Sequence, residues 1–173
     1  MKLTDYFIKK KVHSLAIEAK SRKHESCALE KANQILVLCE AGDQETLRPL
    51  LEQLRKMKKN VHSCVFVSEK EVPEQSPSEL LVHAHKDLTA WHVPSDSVLK
   101  QFQTLPADIL IDLTQTTNYP MKYLLLKHTC PYKVGVKHPD MELYDLSISV
   151  TAREDIKQIF EHILFYLQAI RSK

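Results

Sequence analysis

Glycine is almost missing from this chain, with Gly42 and Gly135 its only two in 173 residues. A phosphate-cradling loop needs residues without a Cβ, so that several backbone N–H groups can close on the anion. The scarcity therefore excludes a Gly-x-Gly-x-x-Gly turn and a Walker loop. Cysteine is limited to four widely spaced residues with no Cys-x-x-Cys pair. That spacing argues against a disulfide framework and points to a reduced cytoplasmic setting. No apolar run approaches the ~18–20 residues of a membrane-spanning helix. Lys9, Lys10 and Lys11 interrupt any signal-peptide pattern at the start. Charge of one sign is also lacking, since 24 Lys/Arg face 22 Asp/Glu. A chain so balanced has no global nucleic-acid-binding charge, and no specific nucleic-acid partner is expected.

The remaining composition is that of a soluble globular protein, 43% apolar and 27% charged. Its length suits one domain with a real core. The small net charge of +2 conceals an asymmetry: residues 1–31 hold eight Lys/Arg against four Asp/Glu. Residues 1–31 are accordingly expected as a basic amphipathic N-terminal helix, with residues 32–173 as a single domain. Ile8, Val12, Leu15 and Ala19 give residues 3–31 a narrow apolar stripe of helical period. Such a helix packs on the body, serves as an arm for an anionic surface such as a membrane or RNA, or docks a protein partner.

From Gln34 onward, strand and helix signals alternate. Apolar runs at Ile35–Cys39, Val61–Val67, Leu80–Ala84, Ile109–Leu113, Lys133–Val136 and Leu143–Val150 predict strands. Helices are expected over Thr46–Lys58, with Pro49 in the first turn, and over Ser95–Gln103 behind a Ser95 cap. Asn118 should cap a helix over Pro120–His128, and Thr151 with Glu154 should form the capping box of a closing helix. Residues 69–78, rich in Pro, Glu and Ser, read as a loop. Strands joined by helical crossovers lie parallel, with helices on both faces. The expected fold is α/β: a three-layer Rossmann-like domain with a mostly parallel sheet and an extra N-terminal helix.

In such sheets, ligands bind beyond the carboxyl ends of the strands. Two loops there carry polar residues. After Ile35–Cys39 come Gly42 and Asp43, where Asp43 is a candidate general base or simply a turn residue starting a helix. After Ile109–Leu113, Asp112 is followed by Thr114, Gln115, Thr116 and Asn118, whose hydroxyls and amides suit a sugar or an anion, or a turn and a cap. His83, His85 and His92 lie close in sequence but have no recognised metal spacing, so no metal or cofactor is expected. A Ser-His-Asp order and a Cys-His nucleophile context are both absent.

Two resemblances arise from these segments. NQILVLCEAGDQETLRPLLEQLRK, residues 33–56, resembles the start of the heptosyltransferase-type glycosyltransferases, in which a Gly-Asp pair follows the first strand and the helix opens with proline. ADILIDLTQ and YKVGVK look like a later strand–helix–strand passage of the same half. That resemblance implies an acceptor-binding half in which Asp43 would be the base on a sugar hydroxyl. Nearly the whole chain is similar to a group of small uncharacterised proteins from Bacteroidetes, through KDLTAW, PADILIDL and YKVGV. This second resemblance implies a bacterial cytoplasmic protein and no particular activity. The leading expectation is a non-catalytic module that binds a protein partner or small ligand. The alternative is a glycosyltransferase-like enzyme acting on a sugar or nucleotide.

Overall fold

A computed structural model describes residues 2–22, 25–68, 73 and 75–170. Its elements run α1 (Leu3–Ala19), β1 (Gln34–Glu40), α2 (Gln44–Lys56), β2 (Asn60–Val67), β3 (Glu79–His83) and α3 (Asp96–Gln103). There follow β4 (Ile109–Asp112), α4 (Tyr119–Lys127), β5 (Lys133–Val136), β6 (Leu146–Ile148) and α5 (Ile156–Ala169). The six strands form one sheet in the order β3-β2-β1-β4-β5-β6. Every neighbouring pair is parallel. Central strands buried on both faces must be continuously apolar, and β1 meets this demand with Ile35 to Leu38, all fully buried.

The sheet separates two cores. On one face α2 and α5 pack Leu47, Leu54, Phe160 and Ile163 against Val37, Val65 and Ile111. On the other, α1, α3 and α4 pack Ile8, Val12, Phe102 and Leu124 against Leu36, Leu38 and Leu110. The three-layer Rossmann-like architecture expected from the alternation is thus present. No described helix is long and apolar enough to cross a membrane.

Several boundaries depart from the pattern. The first helix stops at Ala19 rather than reaching residue 31. Beyond it, Arg22 pairs with Asp145 at 2.5 Å and donates to the carbonyls of Cys130 and Pro131. The chain then returns to the sheet, sending Leu29 and Ala32 into the α2–α5 core. The buried stripe is Ile8, Val12 and Ala16, with Leu15 only half-buried. Helix α2 begins at Gln44 behind a 3-10 turn, so Pro49 sits inside it on an exposed side. Strand β6 shrinks to Leu146–Ile148, because Tyr144 and Asp145 turn inward to bond Asp112 and Lys133. The capping box of α5 is Asp155 with Gln158, four residues past Thr151 and Glu154. Of the expected loop over residues 69–78, positions 69–72 and 74 lie outside the described residues.

Candidate functional site

The strand order reverses between β1 and β4, so their carboxyl ends flank the crevice where open α/β sheets take ligands. Here the crevice contains the protein's own polar groups. Asp112, the last residue of β4, is 1% exposed and accepts four hydrogen bonds. Its Oδ1 receives the Thr114 amide at 2.9 Å and the Thr114 hydroxyl at 2.6 Å. Its Oδ2 receives Lys122 Nζ at 2.7 Å and the Tyr144 hydroxyl at 2.8 Å. Lys122, from the buried side of α4, also donates to Thr114 Oγ1 at 2.9 Å and to the Thr114 carbonyl at 3.3 Å. The ammonium thereby places all three N–H groups, and the carboxylate fills its acceptor positions. A buried ion pair is tolerable only when its remaining valences are met in this way.

Gly135 explains how Tyr144 reaches that carboxylate. It lies opposite Asp112 in the β4–β5 register, and a Cβ built on it would meet the Tyr144 ring at 2.5 Å. The ring therefore lies flat over bare backbone. Burial, and then the Asp112 charge, pushes the Tyr144 hydroxyl well above the ordinary phenol range, which keeps it a donor.

A second clasp closes the mouth. Glu40, at the end of β1, accepts the Asn118 side-chain amide at 2.9 and 3.2 Å and the Gln115 backbone N–H at 3.1 Å. Burial raises the Glu40 carboxyl above its ordinary value, and these bonds oppose the rise. Asn118 also caps α4, its Oδ1 accepting the Met121 N–H. His138 donates from Nε2 to the Thr116 carbonyl and accepts the Asp140 N–H at Nδ1, so its ring is neutral in this arrangement. Burial, and then its own neighbours Lys122 and Lys9, holds it below the usual histidine range.

The expected site residues are thus placed unequally. Asp112, Thr114, Gln115 and Asn118 do gather at the crevice, with Thr116 just outside through its carbonyl. Gly42 and Asp43 lie in the 3-10 turn after β1, neither with the positive φ that would demand glycine. Asp43 occupies the N-cap position of α2 without a capping bond from its side chain. Glu40, three residues earlier, is the group the second loop grips. Five surface cavities of about 270 to 640 Å³ include neither Asp43 nor Asp112, Thr114 or Asn118 in their walls. Glu40, Lys122, Tyr144 and His138 were not anticipated from the sequence. Among the described residues, His83, His85 and His92 join no group of three or more metal-binding side chains.

A different surface is conspicuous for what it exposes. Trp91 is 53% exposed and meets Phe7 of α1 edge to face, with ring centroids 4.8 Å apart. Tyr6 meets Phe7 with ring centroids 5.9 Å apart, Leu3 is exposed on the same helix, and Lys10 and Lys11 line the depression with Phe7 and Trp91. The turn carrying Trp91 is held by His92, whose φ of 59° is left-handed and whose Nδ1 lies 3.1 Å from Asp5 of α1.

Fold and crevice together define a Rossmann-like α/β domain whose switch point is filled from within. Residues 5–170 match the model of a family of unknown function, DUF6913, and the chain belongs to that family. No curated protein matches it. Among solved structures it is similar to the glycosyl transferase family 9 protein from Veillonella parvula DSM 2008, with a TM-score of 0.54 and 21% identity. The likeness covers 84% of this chain and 43% of that one, so this chain spans less than half the length of its structural relative. At that identity the likeness is one of fold.

Proposed function

We propose that this domain is a non-catalytic Rossmann-like module that binds a protein partner through α1 and the Trp91 turn. The observation that carries the reading is the saturated Asp112–Lys122–Thr114–Tyr144 network, which spends on the protein itself the groups a substrate would need. A ligand that engaged these groups at the switch point would have to displace partners of a buried ion pair. The exposed Trp91–Phe7 pair supplies the docking element. Exposed aromatic clusters of this type are enriched among the residues that dominate binding energy. Lys10 and Lys11 beside it favour a partner segment with an apolar anchor and acidic flanks.

The test begins with a photo-crosslinking residue at Ser14, inside the same depression, in the full chain in its own cells. The captured protein is then purified and titrated against the wild type, Trp91→Ala and Phe7→Ala. Each variant is expected to weaken binding at least roughly tenfold, as for an aromatic hot spot. Equal affinities, or the same crosslinks from a control position at Gln101 on α3, would overturn the reading.

The likeness to a glycosyl transferase supports a second reading, in which the chain is the acceptor-binding half of a sugar-transferring enzyme. Asp43 would be its base, with Gly42, Asp112, Thr114, Gln115, Thr116 and Asn118 around the sugar or nucleotide. Sugar transfer by the purified chain that vanishes in Asp43→Asn would establish it in place of the first.

A further inference from the structure

Beside α2, on the face away from α1, a groove of about 270 Å³ opens over β2. Ser63 and Val65 form its floor, and Gln44, Leu47 and Leu51 of α2 form its wall. Alternation along β2 sends Ser63 to the same face as Val61, Val65 and Val67, which all join the α2 core. A valine would continue that ladder. Instead a serine, 1% exposed, places a buried hydroxyl there with no hydrogen-bond partner. Gln44, on the same groove wall, carries a second unpartnered polar atom, its side-chain amide nitrogen. A buried polar group left unsatisfied costs about 1–3 kcal/mol, and the two beside this groove are placed where a molecule from outside the chain could relieve that cost.

The charged groups around the groove are already engaged. Arg55 bonds Glu52 at 2.5 Å and reaches the Val61 carbonyl and the Ser78 hydroxyl. Arg48 pairs with Glu45 at 3.0 Å, and Glu79 accepts the Ser76 N–H. The two unpartnered buried groups are neutral, and Leu47, Leu51 and Val65 pack beside them. We infer that this groove binds a small, flat, neutral heteroaromatic molecule of the nucleobase class. Its polar edge meets the Gln44 amide and the Ser63 hydroxyl, and its faces lie on the leucines and Val65. An amide side chain suits such an edge because it offers a donor and an acceptor side by side. The volume suits one ring system and is too small for a dinucleotide.

The site is separate from the α1 surface and is tested without it. Adenine, uracil and nicotinamide are titrated one at a time into the isotope-labelled full chain, with amide shifts as the readout. Cyclohexanol, apolar but not flat, and glucose, polar without apolar faces, are the controls. At least one heterocycle should give saturable shifts at Leu47 and Val65, with a dissociation constant on the order of millimolar or tighter. Ser63→Ala should weaken it roughly tenfold while the melting temperature holds or rises. Gln44→Ala, at the start of α2, is the second variant. The inference falls if no heterocycle saturates these positions, if glucose or cyclohexanol does equally well, or if neither variant changes affinity.

Discussion

The crevice between β1 and β4 and the groove beside α2 belong to one sheet, yet they treat buried polar groups in opposite ways. In the crevice each donor meets an acceptor, from Lys122 through Asp112 to Tyr144. In the groove Ser63 and Gln44 end without partners. Closed networks in a low-dielectric interior strengthen one another and fix a unique arrangement. Open ends carry a desolvation cost that an incoming molecule can relieve. The contrast separates two arrangements of buried polarity: a network closed within the chain at the switch point, and open polar ends beside α2.

The largest effect should come from opening the closed network. Lys122→Met leaves the Asp112 carboxylate uncompensated at the carboxyl end of β4, where its side chain is 0% exposed. Denaturant unfolding should show a loss of about 3–5 kcal/mol, the range for breaking a buried pair from one side. Adding Asp112→Asn removes the stranded charge and should recover part of that loss, a coupling the double-mutant cycle measures. A loss below about 1 kcal/mol would place the pair among weak surface bridges and erase the contrast with the groove.

Gly135→Ala should be next in size. Its Cβ would fall 2.5 Å from the Tyr144 ring, so the ring must leave Gly135 or the strand must move. Overpacking of this kind costs about 1–3 kcal/mol. In a Tyr144→Ala background the same substitution should cost much less, read by the same unfolding experiment. An equal cost in both backgrounds would trace the effect to the β5 backbone and detach Gly135 from the crevice.

These two sites also show how much the chain discloses before it folds. Strand and helix order was legible because every element carries its own periodicity, as in Ile109–Leu113 or the Phe160–Ile163–Leu167 stripe. Ser95 and Asn118 were legible as caps because a cap acts within three residues. Asp112, Thr114 and Asn118 stood out by their place after a strand. Lys122 did not, since a lysine in MKYLLLK reads as solvated until Asp112 is brought beneath it by the β4–α4 connection. Tyr144 was hidden for a similar reason: it arrives from 32 residues downstream, and only the β4–β5 register brings it to Asp112. Gly135 stood out as one of two glycines, and the structure supplies what lies against it, the Tyr144 ring. The end of α1 was misread because it depends on Arg22 meeting Asp145, a contact across 123 residues. Ser63 went unremarked because the lack of a partner is a property of α2 and β3 once assembled, with no local trace.

The smallest effect is the one that sets the groove apart most sharply, because its sign should reverse. Deleting a crevice group removes a partner that others need. Deleting the Ser63 hydroxyl removes a group that nothing in the unliganded protein satisfies. Ser63→Ala retains the Cβ among Val61, Val65 and Val67 and relieves the buried dipole. Without ligand it should raise stability by about 1 kcal/mol, a few degrees in melting temperature for a domain of this length. With a heterocycle at saturation the order should invert, since the wild type gains more from binding than the variant does. A destabilised, ligand-indifferent Ser63→Ala would mean that the hydroxyl is satisfied inside the fold, and groove and crevice would then follow the same rule.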